Sequence, residues 1–151
     1  MPAEFTKGDI FAAGLRAFAH GCNCAGTMDA GIAVAFKKRF PAMFEEYQAR
    51  CADGRFRLGD VFVWSDGETT VFNLGIQEHW KKKATVAGLS RALKKTVELA
   101  KSSGVDRIGV PRIGTGLGGL DWPRVRSVLT DVGKEEPVTF VVFEQFIRAK
   151  E

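Results

Sequence analysis

Apolar and polar positions divide the chain into short apolar runs separated by amphipathic stretches. Phe18-Ala19-His20 reads as the end of a buried strand, preceded by a short extended segment around Phe5-Thr6. Ala30 to Phe40 is rich in Ala, Ile, Val and Phe and closes with Lys37-Lys38-Arg39, cations that suit the last turn of a helix. Pro41 opens a second helical stretch that runs to Cys51, with proline tolerated in the first turn. Asp60 to Trp64 and Thr69 to Leu74 are strands around the turn residues Ser65-Asp66-Gly67-Glu68, which predicts a hairpin. Thr85 to Ser103 is the clearest helix. Val86, Leu89, Leu93, Val97 and Ala100 share one face, and Gly104 stands where a helix stops. Arg107 to Pro111 is a short buried strand. Asp121 then caps a helix with Pro123 just inside it and Val125, Val128, Leu129 and Val132 along it. The unbroken apolar run Val138 to Phe143 predicts a central strand buried on both faces.

Strands interleaved with helices predict an α/β domain with a mixed sheet. Ligands of such sheets bind outside the carboxyl ends of the strands. Two glycine-containing loops follow predicted strand ends, one after His20 and one after Pro111, so both are expected to meet over one cleft.

The chain has 151 residues, 45% hydrophobic and 26% charged, with no repeat, linker or low-complexity tract, so residues 1–151 are read as a single domain. Disorder, collagen and coiled coil are excluded on composition. At this length folding buries roughly 70% of the unfolded surface, enough for one core. No apolar run approaches the ~20 residues of a membrane helix. Met1-Pro2-Ala3-Glu4-Phe5 lacks the pattern of a signal peptide, so a cytoplasmic, membrane-free protein is expected. Cys22, Cys24 and Cys51 make an odd set that fits a reducing compartment. The net charge of +4 is a mild bias toward anionic partners.

Candidate chemistry concentrates in the two loops. The stretch Arg112 to Gly119 contains G-x-G-x-x-G at Gly114, Gly116 and Gly119 between a strand and a helix. Four glycines in six residues lose more chain entropy than a plain turn requires, so diphosphate binding through backbone N–H groups is the better explanation. A true dinucleotide-binding domain fits less well. Only one more strand follows, and Glu144 comes too late for a ribose-binding acid. The loop His20 to Ala33 is also small and polar. His20, Cys22 and Cys24 alternate too closely for a zinc site, and no relay activates a cysteine, so no metal and no cofactor are expected. His79-Trp80-Lys81-Lys82-Lys83 is either a solvated loop or, with its aromatic, a contact for single-stranded nucleic acid through Lys81, Lys82 and Lys83.

Together these residues resemble a macro domain, the ADP-ribose-binding α/β/α sandwich, over about Phe5 to Phe143. Lys7-Gly8-Asp9-Ile10 is similar to that family's G-D-[IL] start. Met28-Asp29-Ala30-Gly31-Ile32-Ala33 and Pro111-Arg112-Ile113-Gly114-Thr115-Gly116-Leu117 are similar to the M-x-A-G-I-A and P-R-I-G-x-G-L of its terminal ADP-ribose glycohydrolase branch. The resemblance implies a three-layer sandwich and a role for each matching position. Asp9 would accept from the adenine amino group with the Ile10 backbone beside it, and Phe143, ending the last strand, would pack on the adenine. Gly31, Ile32 and Ala33 would contact the phosphates from one side, and Gly114, Thr115, Gly116 and Leu117 from the other. Asn23 and Met28 would border the distal ribose, and His20 and Gly118 belong to the same ligand set.

That branch uses a lysine at the end of the second hairpin strand and an aspartate just after the G-L. Gln77 and Gly118 stand at those positions, and Lys81 to Lys83 come several residues late. Two functions follow. One is a lysine-independent hydrolase acting at C1″ of the distal ribose on protein carboxylates or DNA bases. Gln77 would orient the water and Asp29 would act as base. The other is a reader that binds ADP-ribose without chemistry. The chain is expected to be a free-standing, monomeric domain with nothing attached for a reader to deliver, an expectation that points to the enzyme.

Overall fold

The computed structural model describes residues 3–149. Met1 and Pro2, the head of the segment read above for a signal sequence, lie outside that range. The described residues form β1 (Glu4–Gly8), a short 3-10 helix (Ile10–Ala12), β2 (Ala17–Asn23), α1 (Ala33–Arg39), α2 (Pro41–Ala52), β3 (Val61–Ser65), β4 (Thr70–Gln77), α3 (Val86–Ser103), β5 (Arg107–Val110), α4 (Trp122–Gly133) and β6 (Thr139–Phe146). The strand order is β1-β6-β5-β2-β4-β3. β3 pairs antiparallel with β4, as the predicted hairpin requires, and the other pairings are parallel. The parallel strands therefore end on one rim, where Gly8, Asn23, Gln77, Val110 and Phe146 lie together.

Alternation along the strands divides the core between two faces. Ala17 and Ala19, Phe72 and Leu74, and Phe140 and Val142 pack with Leu89, Leu93 and Val97 of α3 and Val125 and Leu129 of α4. Phe18 and Cys22, Val71, and Val141 and Phe143 point the other way, onto Phe36 of α1 and Met43 and Tyr47 of α2. Helices on both faces of one mixed sheet make a three-layer α/β/α sandwich.

Several boundaries differ from the sequence reading, among them the end of β4, which runs past Leu74 to Gln77. β2 continues through Gly21-Cys22 to Asn23, because each residue finds a parallel partner on β4, ending at Asn23 opposite Gln77. The helix after the first loop starts at Ala33, not Ala30. β6 runs on to Phe146, so Phe143 is inside the strand rather than at its end. Its continuation pairs with β1 past Phe143, matching Gln145 to Lys7 and Phe146 to Gly8. Thr85 and Asp121 cap α3 and α4 with their own side chains, accepting from Gly88 N and Arg124 N. No helix among the described residues is long and apolar enough to cross a membrane.

Candidate functional site

A cleft of about 690 Å³ lies over the carboxyl ends of β2, β4 and β5. Its walls are the first loop, from Asn23 through Thr27 to Ala33, and the second, from Pro111 to Gly118, with Ile76 and Gln77 between them. Both loops do meet over one cavity, as their positions at strand ends predict.

The first loop is organised by Asn23. Its amide nitrogen donates to Thr27 Oγ1 at 2.8 Å and to Thr27 O at 3.1 Å. Its amide oxygen accepts from Ala25 N at 3.0 Å and lies 2.8 Å from the hydroxyl of Tyr47, a fully buried residue of α2. The second loop folds on itself. Gly114 has a φ of +77°, which favours glycine, and its carbonyl accepts from Leu120 N at 2.9 Å. Thr115 turns its hydroxyl back to Arg112 O at 2.7 Å and is not on the cleft wall.

These closures leave a set of donors open. Among the described residues, the backbone N–H groups of Gly31, Ile32 and Ala33 on one wall and of Gly116, Leu117 and Gly118 on the other find no acceptor. Backbone N–H groups left open toward a cleft are free to donate to a ligand, so two such sets facing one cleft form a site for anionic oxygen. The second set belongs to its loop, because the Asp121 carboxylate already closes the start of α4, whereas Ile32 and Ala33 are the N-cap and first residue of α1, which no side chain caps.

Gln77 ends β4 with 7% of its surface exposed. Its amide nitrogen donates to the carbonyls of Lys82 and Leu117, clipping the β4–α3 loop to the second glycine loop. Its amide oxygen has no hydrogen-bond donor among the described residues. Asp29 lines the cleft with its side chain 69% exposed, ion-paired to Lys37 at 3.2 Å. Met28 is buried under the first loop. Lys81, Lys82 and Lys83 stay off the cleft wall, whereas Trp80, the aromatic of that lysine patch, and Arg112, to which the sequence gives no role, line it. The sequence leaves that tryptophan between a solvated loop and a ligand contact, and the structure sets it on the cleft wall.

His20 is not part of the ligand set. It lies inside β2, 1% exposed, stacked on Phe36 with ring centroids 4.0 Å apart. Asn73 donates its amide nitrogen to Phe62 O, so its oxygen accepts from His20 Nε2 at 2.6 Å. That leaves Nδ1 unprotonated, and it is buried without a partner. Burial lowers the His20 pKa to about 4, against the opposing effect of its hydrogen bond to the Asn73 oxygen. The native state thus holds the ring neutral while the unfolded chain takes up a proton below about 6.5. Stability is complete above that pH and falls by roughly 3 kcal/mol as pH drops to about 4. The melting temperature is expected to fall over this window, with a flatter fall in His20→Gln. Equal slopes in the two proteins would remove His20 as the cause.

Burial also pushes the Cys22 thiol up, helped by Cys51 and Cys24, and raises Cys24 to about 12. Neither is a thiolate at neutral pH. No group of three or more His, Cys, Asp or Glu side chains is arranged to hold a metal among the described residues.

Asp9, Phe143 and the tail residues Arg148 and Ala149 line a second groove of about 630 Å³ beside β1 and β6. Asp9 Oδ1 accepts from Phe11 N at 2.9 Å and Oδ2 from Ala149 N at 3.1 Å. Ile10 is fully buried beneath it.

The family model for the macro domain matches residues 19–129, spanning both loops and the strand that carries Gln77. The chain belongs to the macro-domain family. Among solved structures, the macrodomain of Mycobacterium tuberculosis DarG superposes with a TM-score of 0.86 at 29% identity, covering 93% of this chain and 97% of that one. A DNA ADP-ribosyl glycohydrolase of Mycobacterium tuberculosis is 31% identical over 137 residues, 88% of this chain and 39% of the relative. An ADP-ribose glycohydrolase of Homo sapiens is 28% identical, over 92% of this chain and 89% of the relative. This macro domain spans about two fifths of the length of the first of those curated relatives.

Proposed function

We propose that this macro domain binds ADP-ribose in the cleft and hydrolyses the bond at C1″ of the distal ribose. ADP-ribose is thereby released from a modified nucleobase or carboxylate. The observation that carries this reading is the pair of opposed, unpaired backbone N–H sets, which suit the diphosphate, with Gln77 at the base of the same cleft. Relatives named as glycohydrolases of ADP-ribosylated DNA and of ADP-ribose support it.

In the proposed reaction a water oxygen bonds to C1″ as the bond to the leaving nitrogen or carboxylate oxygen breaks. The leaving group keeps the electron pair and receives a proton, and the attacking water gives one up. Binding energy from the diphosphate holds the ribose near its oxocarbenium-like transition state. Gln77 orients the water through its free amide oxygen, and Asp29 takes the proton, a role typically worth 10²–10⁴-fold. No lysine lines the cleft among the described residues, so no covalent ribose adduct forms and borohydride traps none.

One observation favours the second reading, a reader without chemistry: the Gln77 amide nitrogen is already committed to two loop carbonyls. The test is a release assay. The domain is incubated with ADP-ribosylated single-stranded DNA and with a glutamate-ADP-ribosylated peptide, and free ADP-ribose is measured. Release at a rate proportional to enzyme establishes the hydrolase, and tight binding without release over many hours establishes the reader.

Asp9 and Phe143 are proposed to take the adenine. Asp9→Ala is expected to weaken ADP-ribose about tenfold by calorimetry, the worth of one hydrogen bond to a charged group. The same change removes the acceptor of Phe11 N and Ala149 N, so a lower melting temperature accompanies it. Unaltered affinity would take Asp9 out of the site.

A further inference from the structure

Six large apolar side chains stand exposed among the described residues, and two of them, Trp80 and Leu117, line this cleft. Trp80, on the turn after β4, is 45% exposed. Leu117, on the second glycine loop, is 63% exposed. Gln77 joins their loops, since it donates to Leu117 O and stands three positions before Trp80 in the chain. The two apolar groups therefore flank the end of the cleft at which the bond is cut in the reading above.

The surroundings are cationic. Lys81 Nζ lies 4.9 Å from the Trp80 ring centroid. Lys83 runs its stem along Gly119, next to the second loop. Arg112 lines the cleft and stacks on Trp122 with its guanidinium carbon 5.1 Å from that ring. Lys82 is paired with Glu78 at 2.9 Å, but Lys81, Lys83 and Arg112 make no ion pair among the described residues.

A half-exposed indole with Lys81 over its ring and His79 tilted against it at 4.9 Å between centroids, and with Lys83 and Arg112 beside the second loop, suits a base carried on a phosphate backbone. The base stacks on the indole whatever its sequence, and the phosphates release counterions from the cations. A glutamate or aspartate ester offers neither a π-face nor a line of phosphates.

We propose that Trp80 and Leu117 form a jaw that takes the leaving group as a base of single-stranded nucleic acid, its neighbouring phosphates meeting Lys81, Lys83 and Arg112. The proposal rests on the hydrolase reading of the same cleft and selects its substrate class. Trp80 sets specificity and does no chemistry.

The experiment compares Trp80→Ala and Trp80→Phe on an oligonucleotide ADP-ribosylated on a base, made in DNA and in RNA, and on a glutamate-ADP-ribosylated peptide. Trp80→Ala is expected to lower kcat/KM on the oligonucleotide by roughly 5- to 100-fold, mainly through KM, as loss of one stacked base would. Its loss on the peptide should be at least fivefold smaller, and Trp80→Phe should recover most of the oligonucleotide rate. Lys81→Gln with Lys83→Gln should flatten the salt dependence of oligonucleotide binding by about one unit in log–log slope. Equal losses on both substrates, or no rescue by phenylalanine, would overturn the jaw. If the wild type releases ADP-ribose from neither substrate, the hydrolase reading fails. The jaw is then judged by binding alone. The modified oligonucleotide must bind more tightly than free ADP-ribose, and Trp80→Ala must abolish the difference. A preference for the DNA or the RNA arm identifies the source of the base.

Discussion

Gln77→Ala is expected to slow release of ADP-ribose by one to three orders of magnitude while changing affinity for free ADP-ribose far less. One positioned polar group at a reacting centre is typically worth 10²–10³ in rate. The ground-state contacts of the ligand lie on the two glycine loops and not on this side chain. The geometry adds a second consequence. The amide nitrogen of Gln77 holds the carbonyls of Lys82 and Leu117, so its loss also frees the loops on either side of the cut. Gln77→Glu separates the two contributions. It keeps size and an acceptor but sets a carboxylate against two carbonyls, which is repulsive at a buried position. It is therefore expected to lower the melting temperature further than Gln77→Ala, which leaves the two carbonyls unpaired but adds no charge. Turnover at the wild-type rate in Gln77→Ala, measured as free ADP-ribose under single-turnover conditions, would refute the assignment. If Asp29→Ala also keeps full rate, a water activated by the diphosphate becomes the better account.

Gly118→Ala is expected to damage the second loop as a whole. A Cβ on Gly118 would lie 2.6 Å from Gly114 O and 3.1 Å from the Ala84 Cβ. Neither is the end of a flexible side chain, so the loop must open. Overpacking of this kind typically costs about 1–3 kcal/mol, which in a domain of this size lowers the melting temperature by several degrees, roughly 2–4 °C per kcal/mol. Opening also moves the N–H groups of Gly116, Leu117 and Gly118, so ADP-ribose affinity should fall at least tenfold. Gly116→Ala is the control for stability, because a Cβ there meets nothing within 4 Å. Gly118→Asp, which restores the aspartate of the resembling branch, is expected to unfold the loop further and to gain no activity. A wild-type melting temperature in Gly118→Ala would show that the loop adapts, and the argument from space would fall.

Much of this macro domain was legible without coordinates, and the legible parts are those decided within a few residues of themselves. The stripe Val86, Leu89, Leu93, Val97 and Ala100 specifies α3 through its period, and Asp121 with Pro123 specifies the start of α4 through local capping. The glycines of the second loop announce a backbone that approaches a ligand, and the rule that ligands sit beyond strand ends brings both loops to one cleft.

What escaped the sequence depends on partners far along the chain. Gly21-Cys22-Asn23 looks like loop by composition, yet it is strand because β4 lies alongside it and supplies the hydrogen bonds. His20 looks like a ligand residue at the head of a polar loop, yet it is sealed between Phe36 and Asn73, which α1 and β4 bring from either side. The crowding that confines position 118 to glycine arises where the loop folds back on Gly114 and meets Ala84. Trp80 reaches the cleft because the β4–α3 turn is clipped to the second loop through Gln77. Periodicity and caps are properties of a segment and can be read from it. Which face a strand covers, which polar group loses its water and which exposed ring meets the ligand are fixed only when distant segments pack, because burial belongs to the pair and not to either residue.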